Sequence, residues 1–353
     1  MEKKKYLVRL KPLGNFFFGG KETFGEGVER SYLVESRVFP QQTTLLGTIR
    51  KEILMIKGIY KENWADYNYN DREKMRKVIG KGSFNINKFE QNFGMIESLS
   101  PVFLAKGEEF YFKLPFDYDL EFEKEEEGKS CLSNKRDFIP FFKGYNSKDG
   151  LPNKFISLNI LNNQLIKSFD EIFKKDEQIG ITKVRNNDDE GYYKQIFYRL
   201  KSDFEFAFLL QTKKELIKDE YSNIVYMGAD SSAFKIEIRE YDKDFEELFS
   251  NKADDNRVVL VSDTYLNEEA YTALYEKADF VLGQPVYFKN MIRQNKNYKK
   301  IENQYVFLEK ASVIYGKDKE TCQAIIKEIE SKNLNQIGYN ITNYFGEDDS
   351  NGN

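Results

Sequence analysis

The stretch PQQTTLLGTIRKEILMIKG, Pro40 to Gly58, constrains the chain more than any other. Leu46, Ile49, Ile53 and Ile56 recur at three- and four-residue steps, which lays one apolar stripe along a helix of about four turns. Such a stripe has to be buried against another layer. The first turn is left over. Thr43 or Thr44 caps it, Pro40 fixes the approach, and Gly47 stands three residues before Arg50 on nearly the same face without a side chain. Gln41, Gln42, Thr43 and Thr44 then surround a helix amino end, whose free N–H groups and dipole favour a phosphate. An ordinary capped helix whose glycine packs on a strand accounts for the same residues, and the stretch alone leaves both readings open.

The rest of the chain supplies strands for that helix to cover. Tyr6 to Leu13 alternates as an opening strand, and Met95–Leu104 and Glu109–Leu114 read as two more. In the carboxyl third, strands at Ser222–Gly228, Phe234–Ile238, Arg257–Ser262, Gln284–Phe288 and Tyr305–Tyr315 alternate with helices at Glu268–Glu276 and Lys317–Lys332. Cys322, Ile325, Ile326 and Ile329 form the inward face of the last helix. A short helix is expected at Asp71–Ile79, and a strand or turn with a short helix within Phe155–Phe173. Partly exposed strands, two-sided helices and no glycine fingerprint favour an α+β fold over a dinucleotide fold. With 353 residues there is room for one large or two medium cores. The acidic, aperiodic segment from Glu121 onward marks the expected boundary: a first module over 1–125, an irregular insertion over 126–179, a second module over 180–345 and a tail from 346 to 353.

The sequence contains no histidine. The side chain best suited to proton transfer near neutral pH, and the commonest neutral metal ligand, is therefore missing. Histidine triads, histidine-based ribonuclease chemistry and most zinc sites are excluded. Carboxylate and magnesium chemistry, or lysine and tyrosine acid–base work, survives in principle, but no carboxylate pair, Walker sequence or dinucleotide motif is spaced for it. No catalytic residue, metal or cofactor is expected. Cys131 and Cys322 suggest neither a disulfide framework nor a thiolate site. The charged amino terminus MEKKKYLVRLKPLG and the lack of a long apolar run point to a cytoplasmic protein without a membrane partner.

A net charge of −4 ordinarily argues against nucleic acid, but the charge is unevenly placed. Residues 1–57 hold eleven Lys and Arg against six Glu, and KNMIRQNKNYKK at 289–300, with Lys289 and Arg293, carries five positive charges and no negative one. Acid gathers at EFEKEEE (121–127) and EIREYDKDFEE (237–247). Such a surface suits a polyanion on one side and a basic protein on the other; a solvated surface with chance clustering fits charge alone equally well.

Two further stretches carry candidate binding chemistry. In FFFGG, three successive aromatics cannot share one face of a strand, and Gly19 and Gly20 permit close backbone approach. Either Phe18 or a neighbour stacks on a base beside a glycine shelf, or the aromatics plug the core. A loop folding back brings FFFGG and QQTT together. In IGITKVRNNDDEGYYKQIFYRL, Ile181–Val184 and Tyr192–Arg199 flank a polar turn and form a hairpin, followed by a third strand at Glu205–Leu210. Lys183, Arg185, Tyr192, Tyr193 and Lys194 near its tip interleave charge and rings, as single-strand binders do; a solvated tip would look the same.

Taken together, these segments resemble the third-subunit family of the type III-B (Cmr) CRISPR RNA-guided effector complex, within the RAMP superfamily. The resemblance begins at LKPLGNFFFGG and VFPQQTTLLGTIR and continues through the hairpin. MGADSSAF is similar to a GGE element, with Ala229 and Asp230 in place of its second glycine and glutamate. LEKASVIYG is similar to a segment usually written with PAGS, lacking its proline and glycine, and NLNQIGYNITNY to a closing glycine-containing loop. The resemblance implies two ferredoxin-like (RRM-like) modules and a non-catalytic subunit. It implies binding to the repeat-derived 5′ tag of the guide RNA, and contacts with the large polymerase/nuclease subunit and with the backbone subunit that cuts target RNA, in a hetero-oligomer. A guide-processing endoribonuclease of the same superfamily and an architectural protein without RNA contact are the rival functions.

Overall fold

The computed structural model describes residues 3–20, 22–24, 32–126, 138–143, 148, 150–157, 166–183, 190–201, 203–228, 230–242, 256–288, 291–294, 297–300 and 305–343. Strands β1 (Lys4–Pro12), β2 (Glu22–Phe24) and β3 (Tyr32–Glu35) precede helices α1 (Gln42–Ile56) and α2 (Tyr69–Ile79). Then come β4 (Ile96–Leu99), β5 (Phe103–Lys106), β6 (Glu109–Lys113), β7 (Glu121–Glu126), β8 (Phe138–Lys143), β9 (Lys154–Ser157), β10 (Ile166–Ser168) and the single-turn α3 (Phe169–Ile172). The long arms β11 (Phe173–Lys183) and β12 (Glu190–Leu200) lead to β13 (Glu205–Thr212), β14 (Tyr221–Met227) and β15 (Ser232–Glu240). The carboxyl part runs β16 (Arg257–Leu260), β17 (Thr264–Tyr265), α4 (Glu268–Lys277), β18 (Ala278–Leu282), β19 (Pro285–Phe288), β20 (Met291–Gln294) and β21 (Asn297–Lys300). It closes with β22 (Tyr305–Leu308), β23 (Val313–Gly316), α5 (Lys319–Ile329), α6 (Lys332–Asn335) and β24 (Thr342–Asn343). The fold is α+β and its sheets are mainly antiparallel. Among the described residues no helix is long and apolar enough to cross a membrane.

Strand β1 is central because both of its faces are apolar. Tyr6, Val8 and Leu10 pack against the α1 stripe of Leu45, Leu46, Ile49 and Ile53, while Leu7 points the other way, toward Phe103, Phe110, Phe112, Val261 and Ile341. Each buried aliphatic of that stripe contributes about 1.5–3 kcal/mol. Ile56 ends the stripe half-buried. The large sheet has the order β10-β9-β6-β5-β13-β1-β15-β14, with β4 also on β13. Around its centre β1 is followed by a helix and then β5; β13 inserts antiparallel between them, and β15 lies on the far side of β1. The smaller sheet repeats this order as β24-β16-β23-β18, with α4 and α5 as its connecting helices. In the large sheet β14 stands where the second helix stands in the smaller one.

This arrangement corrects the expected boundary. Strands β13, β14 and β15, assigned above to the second module, complete the sheet that β1 begins. Between β6 and β13 lie about ninety residues, in which β9 and β10 extend the edge of that sheet, and composition reads this stretch as a domain break. The hairpin is confirmed as β11–β12 with longer arms than expected, but its continuation differs. Strand β12 pairs parallel with β3, in a sheet ordered β11-β12-β3-β2, whereas β13 leaves for the large sheet. The cap of α1 differs as well: Gln41 is the N-cap, without a side-chain capping bond, and Thr48 Oγ1 donates to the Thr44 carbonyl within the helix. Helix α2 starts two residues earlier than expected, where Asn68 and Asp71 form a capping box. Cys322, Ile325, Ile326 and Ile329 are buried on α5 as their spacing predicts.

One buried charge cluster joins the two sheets. Asp117, 6% exposed, accepts from Arg257 Nε and Nη2, both at 2.7 Å, and from the Tyr315 hydroxyl. Phe280 stacks on Tyr315 with ring centroids 4.5 Å apart. Burial and the Asp117 charge push the Tyr315 phenol up, well beyond its ordinary value.

Candidate nucleic-acid interface

The FFFGG segment folds against the run-up to α1. Phe16 exchanges backbone hydrogen bonds with Tyr198 on β12, the Phe18 N–H donates to Ser36 Oγ at 2.9 Å, and the Arg37 N–H donates to the Gly19 carbonyl at 2.9 Å. Gly20 is required here, because a Cβ would run into the Glu35 carbonyl. From the other side, the MGADSS turn contributes Ser232 Oγ, which accepts from the Phe17 N–H at 3.1 Å. The expected meeting of FFFGG with the α1 segment therefore occurs at Ser36 and Arg37, six to eight residues before Thr43 and Thr44. The three aromatics divide between two cores: Phe17 lies with Val34 and Phe197, Phe16 in the main cluster. Phe18 is half-buried and stacks on Phe234 at 5.7 Å, with Phe16 at 4.9 Å and Phe206 at 5.8 Å. Its ring thus rests on three aromatic rings of the protein itself.

The first turn of α1 is held by the closing loop of the chain. Gln42, 4% exposed, donates through Nε2 to the carbonyls of Ser100 (2.8 Å) and Gly338 (3.1 Å). A Cβ at Gly338, whose φ is +85°, would collide with that amide. Gln42 is therefore a latch inside the protein and presents no amide to a ligand. The neighbouring Tyr339 is 2% exposed, packs on Phe288 and Phe307, and has a buried hydroxyl that makes no hydrogen bond of good geometry. Burial and the Asp263 charge raise its pKa, while Arg37 and the Thr43 hydroxyl and amide pull the other way. Gln41, Thr43 and Thr44 are half-buried, and Gly47 is exposed with open space where a Cβ would be.

Arg50 is displaced from the expected role of supporting the first turn. Its Nη1 donates to the Gly82 carbonyl at 3.0 Å, its guanidinium lies 5.4 Å from the Phe93 ring centroid, and Nε and Nη2 are buried without partners. Burial pushes it down to about 10. Gly47 and Arg50 share a face, but the segment carrying Gly82 and Phe93 folds over the arginine.

A cation that the sequence reading did not single out stands here instead. Lys310, in the KAS turn before β23, places Nζ 3.3 Å from the centroid of Phe39, just ahead of α1. The Phe39 ring also touches Phe155, Phe173 and Phe206. Burial pushes Lys310 down to about 8. Nothing local flags this lysine, because its partner ring is some 270 residues away in sequence and only the return of the second sheet brings them together. Arg37 was likewise missed; its side chain makes no hydrogen bond or ion pair among the described residues.

The hairpin is rooted at the same place. Tyr198 bonds the Glu35 carboxylate, Lys175 pairs with Glu35 at 3.3 Å, and Asn15 donates to Asp176. The hairpin's eleven-residue arms run about 35 Å along the strand direction. Lys183 ends β11 opposite Glu190, and Tyr192 and Tyr193 lie on β12 opposite Ile181 and Gly180; their side chains, like Arg185, lie outside the described residues. Lys194 pairs with Glu177 at 2.6 Å, so its charge is matched within the hairpin. Arg293 sits on β20, paired with Tyr298 in the β20–β21 ribbon, its side chain outside the described residues, as is Lys289.

Stretches at 18–20, 310–312 and 338–340 thus meet the segment 35–44, along the run-up to α1 and its first turn. A model of the family described as CRISPR-associated protein (Cas_Cmr3) matches residues 8–294. No curated protein matches the sequence. In fold the chain is similar to a chain in the cryo-EM structure of the type III-B Cmr-beta bound to cognate target RNA, at 13% identity over 96% of each chain with a TM-score of 0.51. A chain in the same assembly with target RNA and AMPPnP, state 1, aligns at 12% identity over 94% of each, TM-score 0.49. One from the Csm3-Csm4 subcomplex of the type III-A CRISPR-Cas interference complex aligns at 11% over 89% of this chain and 93% of that one, TM-score 0.35.

Proposed function

The chain belongs to the CRISPR-associated Cas_Cmr3 family, and from that membership we propose that it is a non-catalytic subunit of a type III CRISPR ribonucleoprotein. In this reading it binds the repeat-derived 5′ tag of the guide RNA at the start of α1 and joins the large polymerase/nuclease subunit to the backbone subunit that cuts target RNA. The observation that carries the reading is the meeting of FFFGG, the KAS turn and the Gly338 loop with the α1 run-up and first turn, with the Arg37 and Lys310 side chains unpaired there among the described residues. RNA phosphates and splayed bases call for charge and backbone donors rather than a proton shuttle, which agrees with a chain lacking histidine. The shared strand orders β15-β1-β13-β5 and β24-β16-β23-β18 support two ferredoxin-like units, the first with a strand in place of its second helix.

A mobility-shift titration of the purified protein with tagged and tagless guide at two salt concentrations tests this. Tighter binding of the tagged guide and a fall of affinity with salt are expected, because each neutralised phosphate releases counterions. Equal affinity for both guides would remove the tag assignment. The same samples, held with magnesium or manganese, should return intact RNA. Cleavage abolished by a single-residue variant would replace the non-catalytic reading with a nuclease.

A further inference from the structure

Resting on the reading of the α1 start as an RNA surface, we infer that Lys310 and Arg37 clamp one phosphodiester of the bound strand against the first turn of α1 at Thr43. The acids near Lys310 favour its charged form, but among the described residues none forms an ion pair with its ammonium. Asp263 Oδ1 accepts the Lys310 backbone N–H at 3.0 Å, and Glu309 Oε1 pairs with Lys113 at 2.7 Å. The Lys310 ammonium is left with the face of Phe39 as its neighbour at 3.3 Å. An aromatic face steadies a cation but accepts none of its hydrogen bonds in the manner of an oxygen. Arg37 has its main chain fixed on both sides, by the Gly19 carbonyl and the Ser36 hydroxyl, and a guanidinium that donates to nothing among the described residues.

Two features of the α1 start suit an anion there. The 15-residue α1 begins without a side-chain cap, leaving its amino end to an outside acceptor. Behind it the buried Tyr339 hydroxyl makes no hydrogen bond of good geometry, although the Thr43 hydroxyl and amide lie close enough to act on it. Asp263 acts on both Lys310 and Tyr339, and Arg37 acts on Tyr339, so these groups lie within electrostatic reach of one another. A tetrahedral oxyanion satisfies two cations and a helix end together, and a phosphodiester brings one wherever a strand crosses the turn.

The clamp makes binding proton-linked. In the free protein Lys310 sheds its proton near 8, below the ordinary 10.5, because burial outweighs Asp263 and Glu309, with Lys113 adding repulsion. A bound phosphate favours the charged form, so above pH 8 binding takes up a proton and affinity falls as pH rises. In the free protein the sign is opposite: the unfolded lysine holds its proton longer than the folded one, so this residue's contribution to stability grows from about pH 8 toward 10.5.

The test uses the full chain and three proteins: wild type, Lys310→Arg and Lys310→Met. Tagged-guide affinity is measured from pH 7 to 9.5 at two salt concentrations. The clamp predicts that Lys310→Met binds about tenfold more weakly at pH 7 with a salt slope smaller by roughly 0.7, the single-strand value for one phosphate. Lys310→Arg should restore affinity and lose the pH dependence, since arginine stays charged. A folded Lys310→Met with wild-type affinity, slope and pH profile overturns the clamp and leaves the tag reading standing. If wild type binds no guide, the tag reading fails and the clamp is judged by thermal midpoint with a tetranucleotide RNA and, separately, inorganic phosphate. A rise with the RNA in wild type that Lys310→Met lacks supports it. No rise with either, or an equal rise with inorganic phosphate, overturns the phosphodiester assignment.

Discussion

Ala311 has a φ of +74° while 2% exposed, with its N–H on the Leu260 carbonyl and its own carbonyl accepting from Phe116. A β-carbon in that region costs about 1–2 kcal/mol, so Ala311→Gly should stabilise the fold by about 0.5–1 kcal/mol after the glycine's own entropy is subtracted. A rise in denaturant midpoint checks this; a fall would mean the turn is relaxed as it stands. Gly47 offers the complementary probe, because a side chain there meets nothing within 4 Å. Gly47→Leu should raise helix stability by about 0.5–1 kcal/mol while weakening guide binding by about 1–3 kcal/mol, if a phosphate backbone passes over that face. Equal affinity in the stabler variant would mean the RNA takes another course. At this scale the sequence was only partly legible. The apolar stripe of α1 could be read because periodicity is local, whereas Gln42, Arg50 and Lys310 owe their positions to Gly338, Phe93 and Phe39, none of which their neighbours in sequence announce.

The β11–β12 hairpin was legible as an element because alternation and a polar turn mark it from within. Its partner was not, since the parallel pairing of β12 with β3 joins segments about 160 residues apart. The same limit hid the return of β13 to β1. If the hairpin tip reaches RNA, Lys183→Ala and Arg185→Ala should each reduce the salt slope of guide binding by up to about one unit. Lys194→Ala should change it less, because Glu177 already matches that charge. Successive residues of a strand alternate between its faces, so only one of the Tyr192→Ala and Tyr193→Ala variants should lose a stacking contribution of roughly 1–3 kcal/mol. A set in which none of these variants alters guide binding, but complex assembly suffers, would assign the hairpin to a protein neighbour.

At the scale of the whole molecule, the sheets centred on β1 and on β16 share one strand order and are linked through Asp117, Arg257 and Tyr315. Removing one member of such a buried pair strands the other, so Asp117→Ala should cost about 3–5 kcal/mol, read as a lower thermal midpoint. A variant as stable as wild type would show that the sheets hold together without the cluster. The arrangement matters for function because the α1 start is assembled from both sheets: Phe18, Arg37 and Thr43 come from the first, Lys310 and Tyr339 from the second. The most direct measurement of that claim is photo-crosslinking of a guide carrying 4-thiouridine in its 5′ tag to the assembled ribonucleoprotein, with the attached peptides identified by mass spectrometry. Crosslinks to peptides spanning 35–47 and 308–312 are predicted, lost from the second when Lys310 is replaced by methionine. Crosslinks confined to the α4 and α5 side, with none at the α1 start, would contradict it.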